Sequence, residues 1–341
     1  MANDTKNVQK APPAVLPILI SNDSANAGPC CYRRIHTIGT FYGRFPVYKA
    51  AVVYRNPLFY EKQTPEELFV ALKCVDMAEA VATTELAKEA QLNEMAGLKN
   101  RRLLVVEKPF PISGHLCLAW PYMGMGSIRY IMATKFPDGI PEKFIPVILK
   151  ETLKCLMNLH DRNISHRNIH AGNILMNHNP EIKLLFAATI YTSTEEQILQ
   201  SSSSFLPPAA ISEWAAPPEI YPKANRYSYA CDMWMVGITA LELAYGGLKV
   251  SSREELMSLV KKFKKDSKKY LGIEKLKRSS DRECLFSQDL QKIVAGCLKR
   301  NPRKRLKASK ILVSDVFTLM ESNVNEFYTH VINEPVKVEV V

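Results

Sequence analysis

His166-Arg167-Asn168-Ile169-His170-Ala171-Gly172-Asn173-Ile174-Leu175 is the stretch on which the reading turns. It follows a segment with one apolar stripe, in which Ile145, Ile148, Leu149, Leu153, Leu156 and Leu159 recur at three- and four-residue spacing up to His160. That spacing predicts an amphipathic helix. Pro141 and Pro146 sit near its start, where a missing amide donor costs least. Downstream, Ile182–Leu185 reads as a short strand. The quoted decapeptide is therefore a polar, chemistry-bearing loop between a helix and a strand.

Four more stretches stand in order around it. Upstream, Val70-Ala71-Leu72-Lys73 lies in a strand-like run, with Phe69, Ala71 and Lys73 on one face and Val70, Leu72 and Cys74 on the other. Sixteen residues on, Glu89 falls in the predicted helix Val81–Gly97, sharing a face with Leu92 and Ala96. An inward glutamate needs a cationic partner, and Lys73 is the candidate. Downstream come Ala216-Pro217-Pro218-Glu219, then Asp232 with the apolar run Met233–Gly247 that only Glu242 interrupts, then Arg300-Asn301-Pro302-Arg303-Lys304-Arg305.

The rest of the chain gives these stretches a setting. Residues 1–29 are rich in Pro, Asn, Ala and Ser and read as a flexible tail. Phe45–Val53 and Glu67–Val75 carry β-branched and aromatic residues between turn signals, and Arg102–Pro121 looks like two more strands. Beyond it the pattern is mostly helical, and Tyr229–Tyr245 is apolar round most of its circumference, as a central helix would be. The expected architecture is α+β. A strand-rich half over 30–122 joins a helical half over 123–318, with a second tail over 319–341.

Composition excludes several classes. The 341 residues are 47% apolar and 23% charged, which is globular and not disordered. No apolar run approaches the roughly 18 residues of a membrane span. Met1–Lys10 has no apolar core, which predicts no secretory signal and a cytoplasmic protein, with the nucleus also open to it. Eight scattered cysteines show no zinc spacing and read as buried reduced thiols. The net charge of +11 is partly local, in the run Lys261–Lys269 and in Lys299–Arg305. A solvated helix face is the plain reading of these runs. No aromatic interleaving points to nucleic acid, and an acidic lipid or protein surface is the other alternative.

The five stretches, in this order, resemble the protein kinase fold, from about Tyr32 to Phe317. The segment Gly124–Gly139 and Gly237–Ala244 resemble the Sterile-20-like class. The resemblance implies a bilobal protein kinase fold with a small β-rich lobe and a larger helical one. It implies nucleotide-binding positions at Gly39, Val47, Ala71, Lys73, Glu89, Trp120 (the gatekeeper), Met123, Asn173 and Leu175. It also implies structural roles for His166, Arg167 and Asp232 around the catalytic loop, and an ion pair between Glu219 and Arg305.

The reacting positions depart from the family pattern. The glycine-rich loop, Ile38–Val47, keeps only Gly39 and Gly43, with Phe41 at the second glycine's place and Pro46 nearby. The catalytic aspartate is Asn168, an amide that can orient a hydroxyl but cannot take its proton. The lysine two residues on is His170. The metal-binding aspartate is Phe186, followed by Ala187 and Ala188, and a ring supplies no oxygen to magnesium. Base, metal carboxylate and phosphate loop are thus lost together, while Asn173, the second metal ligand of the family, is kept. The expectation is a pseudokinase similar to the STRAD proteins, with no required cofactor and ATP without magnesium as an optional occupant. Its expected partner is a client protein kinase, a scaffold protein, or both. The alternative is a low-activity serine/threonine kinase in which Glu195 or Glu196 supplies the missing ligand. The C-terminal Trp-Glu-Phe docking signal of the STRAD proteins is absent, the chain ending Glu339-Val340-Val341. Ser201–Ser204 sits where active relatives carry phosphosites that Arg167 would read; a flexible polar loop is the other reading.

Overall fold

The structure, a computed structural model, describes residues 18–20, 31–41, 45–53, 68–80, 82–84, 86–87, 90, 100–106, 109–112, 114–186, 217–220, 228–248, 252–265, 286–319 and 321–333. Its first half is built on a six-stranded antiparallel sheet. The strands are β1 (Ile18–Ile20), β2 (Cys31–Phe41), β3 (Phe45–Val53), β4 (Phe69–Asp76), β6 (Phe110–Ile112) and β7 (His115–Pro121), in the order β1-β2-β3-β4-β7-β6. β4 has the two faces its alternation predicts. Val70 and Leu72 enter one apolar cluster with Ala50, Val52, Cys117 and Ala119. Ala71 and Val75 enter another with Leu118, Trp120 and Met123 on the side that faces the second half.

A smaller sheet joins the halves. β5 (Leu103–Leu104) runs parallel to β10 (Ile182–Leu185), which pairs with β9 (Ile174–Met176), which pairs with β8 (Gly126–Ser127). The helices are α1 (Ile128–Lys135), α2 (Ile145–Asp161), α3 (Tyr229–Ala244), α4 (Arg253–Lys265), α5 (Gln288–Cys297), α6 (Ala308–Leu312), α7 (Asp315–Thr318) and α8 (Glu321–Asn333). α2 buries its predicted stripe, Ile145, Ile148, Leu149, Leu153, Leu156 and Leu159 included. α3 is buried from Cys231 to Ala244, which makes it the axis of the helical half. Gly237 lets it pack closely on the C-terminal end of α5, since a Cβ there would meet Leu298 Cγ at 2.7 Å and Cys297 Cβ at 3.1 Å.

The observed architecture is the bilobal kinase fold. Three details differ from the sequence reading. Arg102–Pro121 holds three strands and not two, because β5 leaves the main sheet for β10. Within the expected tail 1–29, Ile18–Ile20 pairs with Cys31–Arg33 as β1. The tail expected over 319–341 contains α8, whose Phe327 and Val331 are fully buried. Phe327 packs on Phe144 at 5.4 Å between ring centroids, and His330 stacks on Phe136 at 5.1 Å. An apolar spacing of three and four residues drives this docking. The described positions between residues 80 and 90 are helical, as expected for Val81–Gly97.

Candidate functional site

One buried carboxylate shapes the catalytic loop. Asp232 lies in the first turn of α3 and is fully buried. Its Oδ1 accepts the Arg167 amide at 2.7 Å, and its Oδ2 accepts the His166 amide at 2.8 Å and lies 2.8 Å from His160 Nε2. These bonds hold Arg167 at φ 64°, a left-handed conformation that is costly for a residue with a side chain. His166 uses both ring nitrogens as a neutral imidazole. Nε2 donates to the Leu185 carbonyl at 2.9 Å, and Nδ1 accepts the Asn168 amide at 3.3 Å. Burial pushes its pKa down, so the ring is a structural bracket and not a base.

The reacting positions sit inside that bracket. Asn168 is buried, and its backbone carbonyl accepts from Asn173 Nδ2 at 2.9 Å. Its Oδ1 has no hydrogen-bond partner among the described residues. Phe186 is 1% exposed and belongs to the main helical core, with its ring edge-on to His166 at 6.1 Å. The side chain that the family resemblance sets at the metal-carboxylate position is thus a core residue.

His170 precedes a single 3-10 turn, Ala171–Asn173, and caps it. Its Nδ1 accepts the Gly172 amide at 3.0 Å, which leaves the ring proton on Nε2. Burial first, then the charge of Arg129, lowers its pKa to about 3. The ring packs on Gly172, where a Cβ would come within 2.8 Å of it. Arg129 in turn pairs with Glu242 at 2.7 Å, and the other oxygen of Glu242 accepts the Ala171 amide at 3.1 Å. This α1–α3 tie was missed in the sequence as a part of the site. Its signal was visible in Glu242 as the lone charge in an apolar run.

Above the loop, Lys73 is 7% exposed and its Nζ lies 4.3 Å from the centre of the Trp120 ring. Register puts Trp120 opposite Ala71, and Val47 between Gly39 and Lys73. Ala71, Trp120, Met123 and Leu175 share one apolar cluster, joined by Phe45 from the start of β3. Phe45 was not among the sequence candidates, because alternation cannot show which rim residues turn into a cleft. Gly39 is exposed, beside one of two β-bulges in β2. Glu89, Ala187, Ala188, Glu195, Glu196 and Ser201–Ser204 lie outside the described residues, as do Lys268 and Lys269.

The lower part of the site is anchored by Arg305. Its guanidinium donates to both oxygens of Glu219, at 2.5 and 2.6 Å, and to the Ala230 carbonyl at 2.7 Å. It also lies 5.2 Å from the Trp234 ring centre. A bidentate pair with one nearly buried partner is among the stronger charge contacts a protein makes.

Magnesium is the ion that phosphoryl transfer on this fold calls for, and the described residues do not fit it. Magnesium takes oxygen ligands in an octahedron. Of the two family positions, Phe186 carries a phenyl ring and supplies no oxygen, and Asn173, whose Nδ2 donates to the Asn168 carbonyl, offers a single neutral amide oxygen. Among the described residues no group of three or more His, Cys, Asp or Glu could hold a metal.

The two lobes, the bracketed loop and the Glu219–Arg305 tie define the protein kinase scaffold. The chain matches the protein kinase domain family over residues 58–317 and belongs to that family. It is similar to two serine/threonine-protein kinases of Dictyostelium discoideum. It is 31% identical to fray2 over 248 residues, 71% of this chain and 22% of that one. It is 28% identical to fray1 over 274 residues, 77% of this chain and 44% of that one. The serine/threonine-protein kinase KIC1 of Saccharomyces cerevisiae is 31% identical over 191 residues, 55% of this chain and 16% of that one. The chain thus spans less than half the length of each of these relatives.

Proposed function

We propose that this member of the protein kinase family is a Sterile-20-like pseudokinase, a bilobal body that binds a client protein kinase and favours the client's active state. The observation that carries the reading is the contrast within one loop. Asp232 holds the loop backbone at 2.7–2.8 Å, while the two positions that react carry an amide and a core-packed ring. General-base assistance contributes about 10²–10⁴-fold in rate, and phosphoryl transfer without the metal loses its main charge stabilisation. A scaffold acts by binding one state of its client in preference to the other, which needs a rigid surface and no chemistry. ATP, in this reading, is an optional structural ligand under Lys73 and does not require magnesium.

Transfer of labelled γ-phosphate tests it. Purified protein, beside its Lys73→Ala form, is expected to label neither itself nor a generic substrate above the level of the variant. Labelling by the wild type that the variant lacks would sink the reading in favour of a low-activity serine/threonine kinase.

A further inference from the structure

Cys74 and Cys117 face each other across β4 and β7, and their sulfurs are 2.8 Å apart. The ladder fixes what kind of facing pair this is. The Tyr122 amide bonds the Phe69 carbonyl and the Met77 amide bonds the Gly114 carbonyl, so both of those pairs are hydrogen-bonded ones. Cys74 lies five residues from Phe69 and three from Met77, both odd separations, so Cys74–Cys117 is a non-hydrogen-bonded pair. Side chains come closest at such pairs, with Cα atoms about 4.5 Å apart. A disulfide accepts Cα separations of about 4.4–6.8 Å. The register therefore sets the two side chains face to face at a spacing that a disulfide accepts.

The pair lies on the outer face of the sheet, in the cluster of Val70, Leu72 and Ala119 and away from Lys73 and the cleft. Cys117 is fully buried and Cys74 is half-buried, so Cys74 is the less enclosed of the two and Cys117 is in place to resolve it. The hydrogen bond from Cys117, then burial, raises the Cys74 pKa, and the Arg34 charge opposes them. The thiolate is therefore a small fraction of Cys74 at neutral pH, which makes its oxidation slow.

We propose that Cys74 and Cys117 form a redox-modification site at which a hydroperoxide joins them in a cross-strand disulfide, stapling β4 to β7. In the first step the Cys74 thiolate attacks one peroxide oxygen. The O–O bond breaks, the alcohol or water leaves, and Cys74 becomes a sulfenic acid. In the second, the Cys117 sulfur attacks the Cys74 sulfur, the S–S bond forms, and the sulfenic oxygen leaves as water. Two thiols are oxidised by two electrons and one hydroperoxide is reduced. The staple joins the strand of Lys73 to the strand of Trp120, and it stands whether or not the protein transfers phosphate.

Peptide mapping under non-reducing conditions tests this on the full chain treated with hydrogen peroxide. The expected product is a linked pair of peptides holding Cys74 and Cys117, two hydrogens lighter than their sum and released by dithiothreitol. The oxidised protein is expected to melt several degrees higher than the reduced one, by the restriction of its unfolded chain, and Cys74→Ser is expected to lose that rise. The linked peptide is read on the wild type, so the result does not depend on how the variant folds. Absence of that peptide, whether Cys74 is found unmodified, over-oxidised or paired with another cysteine, overturns the proposal.

Discussion

Phe186 and His170, which the family resemblance aligns with reacting positions, are held as parts of the fold. The Phe186 ring is wrapped by the helical core and touches His166 edge-on. Putting an acid back there buries a charge without a partner. Phe186→Asp is therefore expected to lower stability by about 3–5 kcal/mol, read as a fall in the urea midpoint, and Asn168→Asp added to it is not expected to restore phosphate transfer. His170 carries a pH signature. Folded, it stays neutral down to about pH 3, whereas in the unfolded chain it protonates near its ordinary value of about 6.5. The unfolded state thus holds the extra proton between these values, and its stabilising effect is complete above about pH 6.5 and lost as pH falls towards 3. His166, also lowered by burial, acts in the same direction. Urea midpoints at two pH values check this. The wild type is expected to lose about 1 kcal/mol more than His170→Asn between about pH 7.5 and about 5.5. Asparagine keeps an acceptor for the Gly172 amide and does not titrate.

At the scale of elements, α3 sets the catalytic loop through a single carboxylate. Asp232→Asn replaces one acceptor oxygen by a donor facing the His166 or Arg167 amide, and leaves Arg167 without support for its left-handed backbone. The expected cost is about 3 kcal/mol or more. Amide exchange at His166 and Arg167 should rise before that of the α2 interior; unchanged protection at both would contradict the role given to Asp232. Much of this was legible in the sequence. Asp232, His166, Glu219 and Arg305 were all marked by the motifs they stand in, and the two faces of β4 by alternation. What sits between elements was not. Cys74 and Cys117 are separated by 43 residues, and period-2 patterning assigns a face but no cross-strand partner. The contacts of Arg129 with Glu242 and of Phe45 with the Trp120 cluster likewise depend on packing between elements.

At the scale of the whole molecule, α8 was read as tail because it follows the last recognisable motif. Its apolar positions at Val324, Phe327 and Val331 carry helical spacing, but a pattern of that length gains stability only from the surface it covers. Here Phe144 and Phe136 supply that surface. Phe327→Ala is expected to cost about 3–5 kcal/mol, seen as a lower thermal midpoint; a shift within the error of the wild type would place α8 outside the cooperative unit. At the same scale, the ties that hold the fold are independent of any chemistry it carries. Asp232, Glu219–Arg305 and the α8 contacts act on packing, and none of them needs a nucleotide or a metal.

The most direct measurement is the magnesium dependence of nucleotide binding, read by thermal shift with ATP in chelator and with ATP in excess magnesium. With a phenyl ring at one ligand position and a lone neutral amide oxygen at the other, magnesium is expected to add nothing to whatever shift ATP gives alone. A shift that appears or grows only with magnesium, and that Asn173→Ala abolishes, would contradict the account.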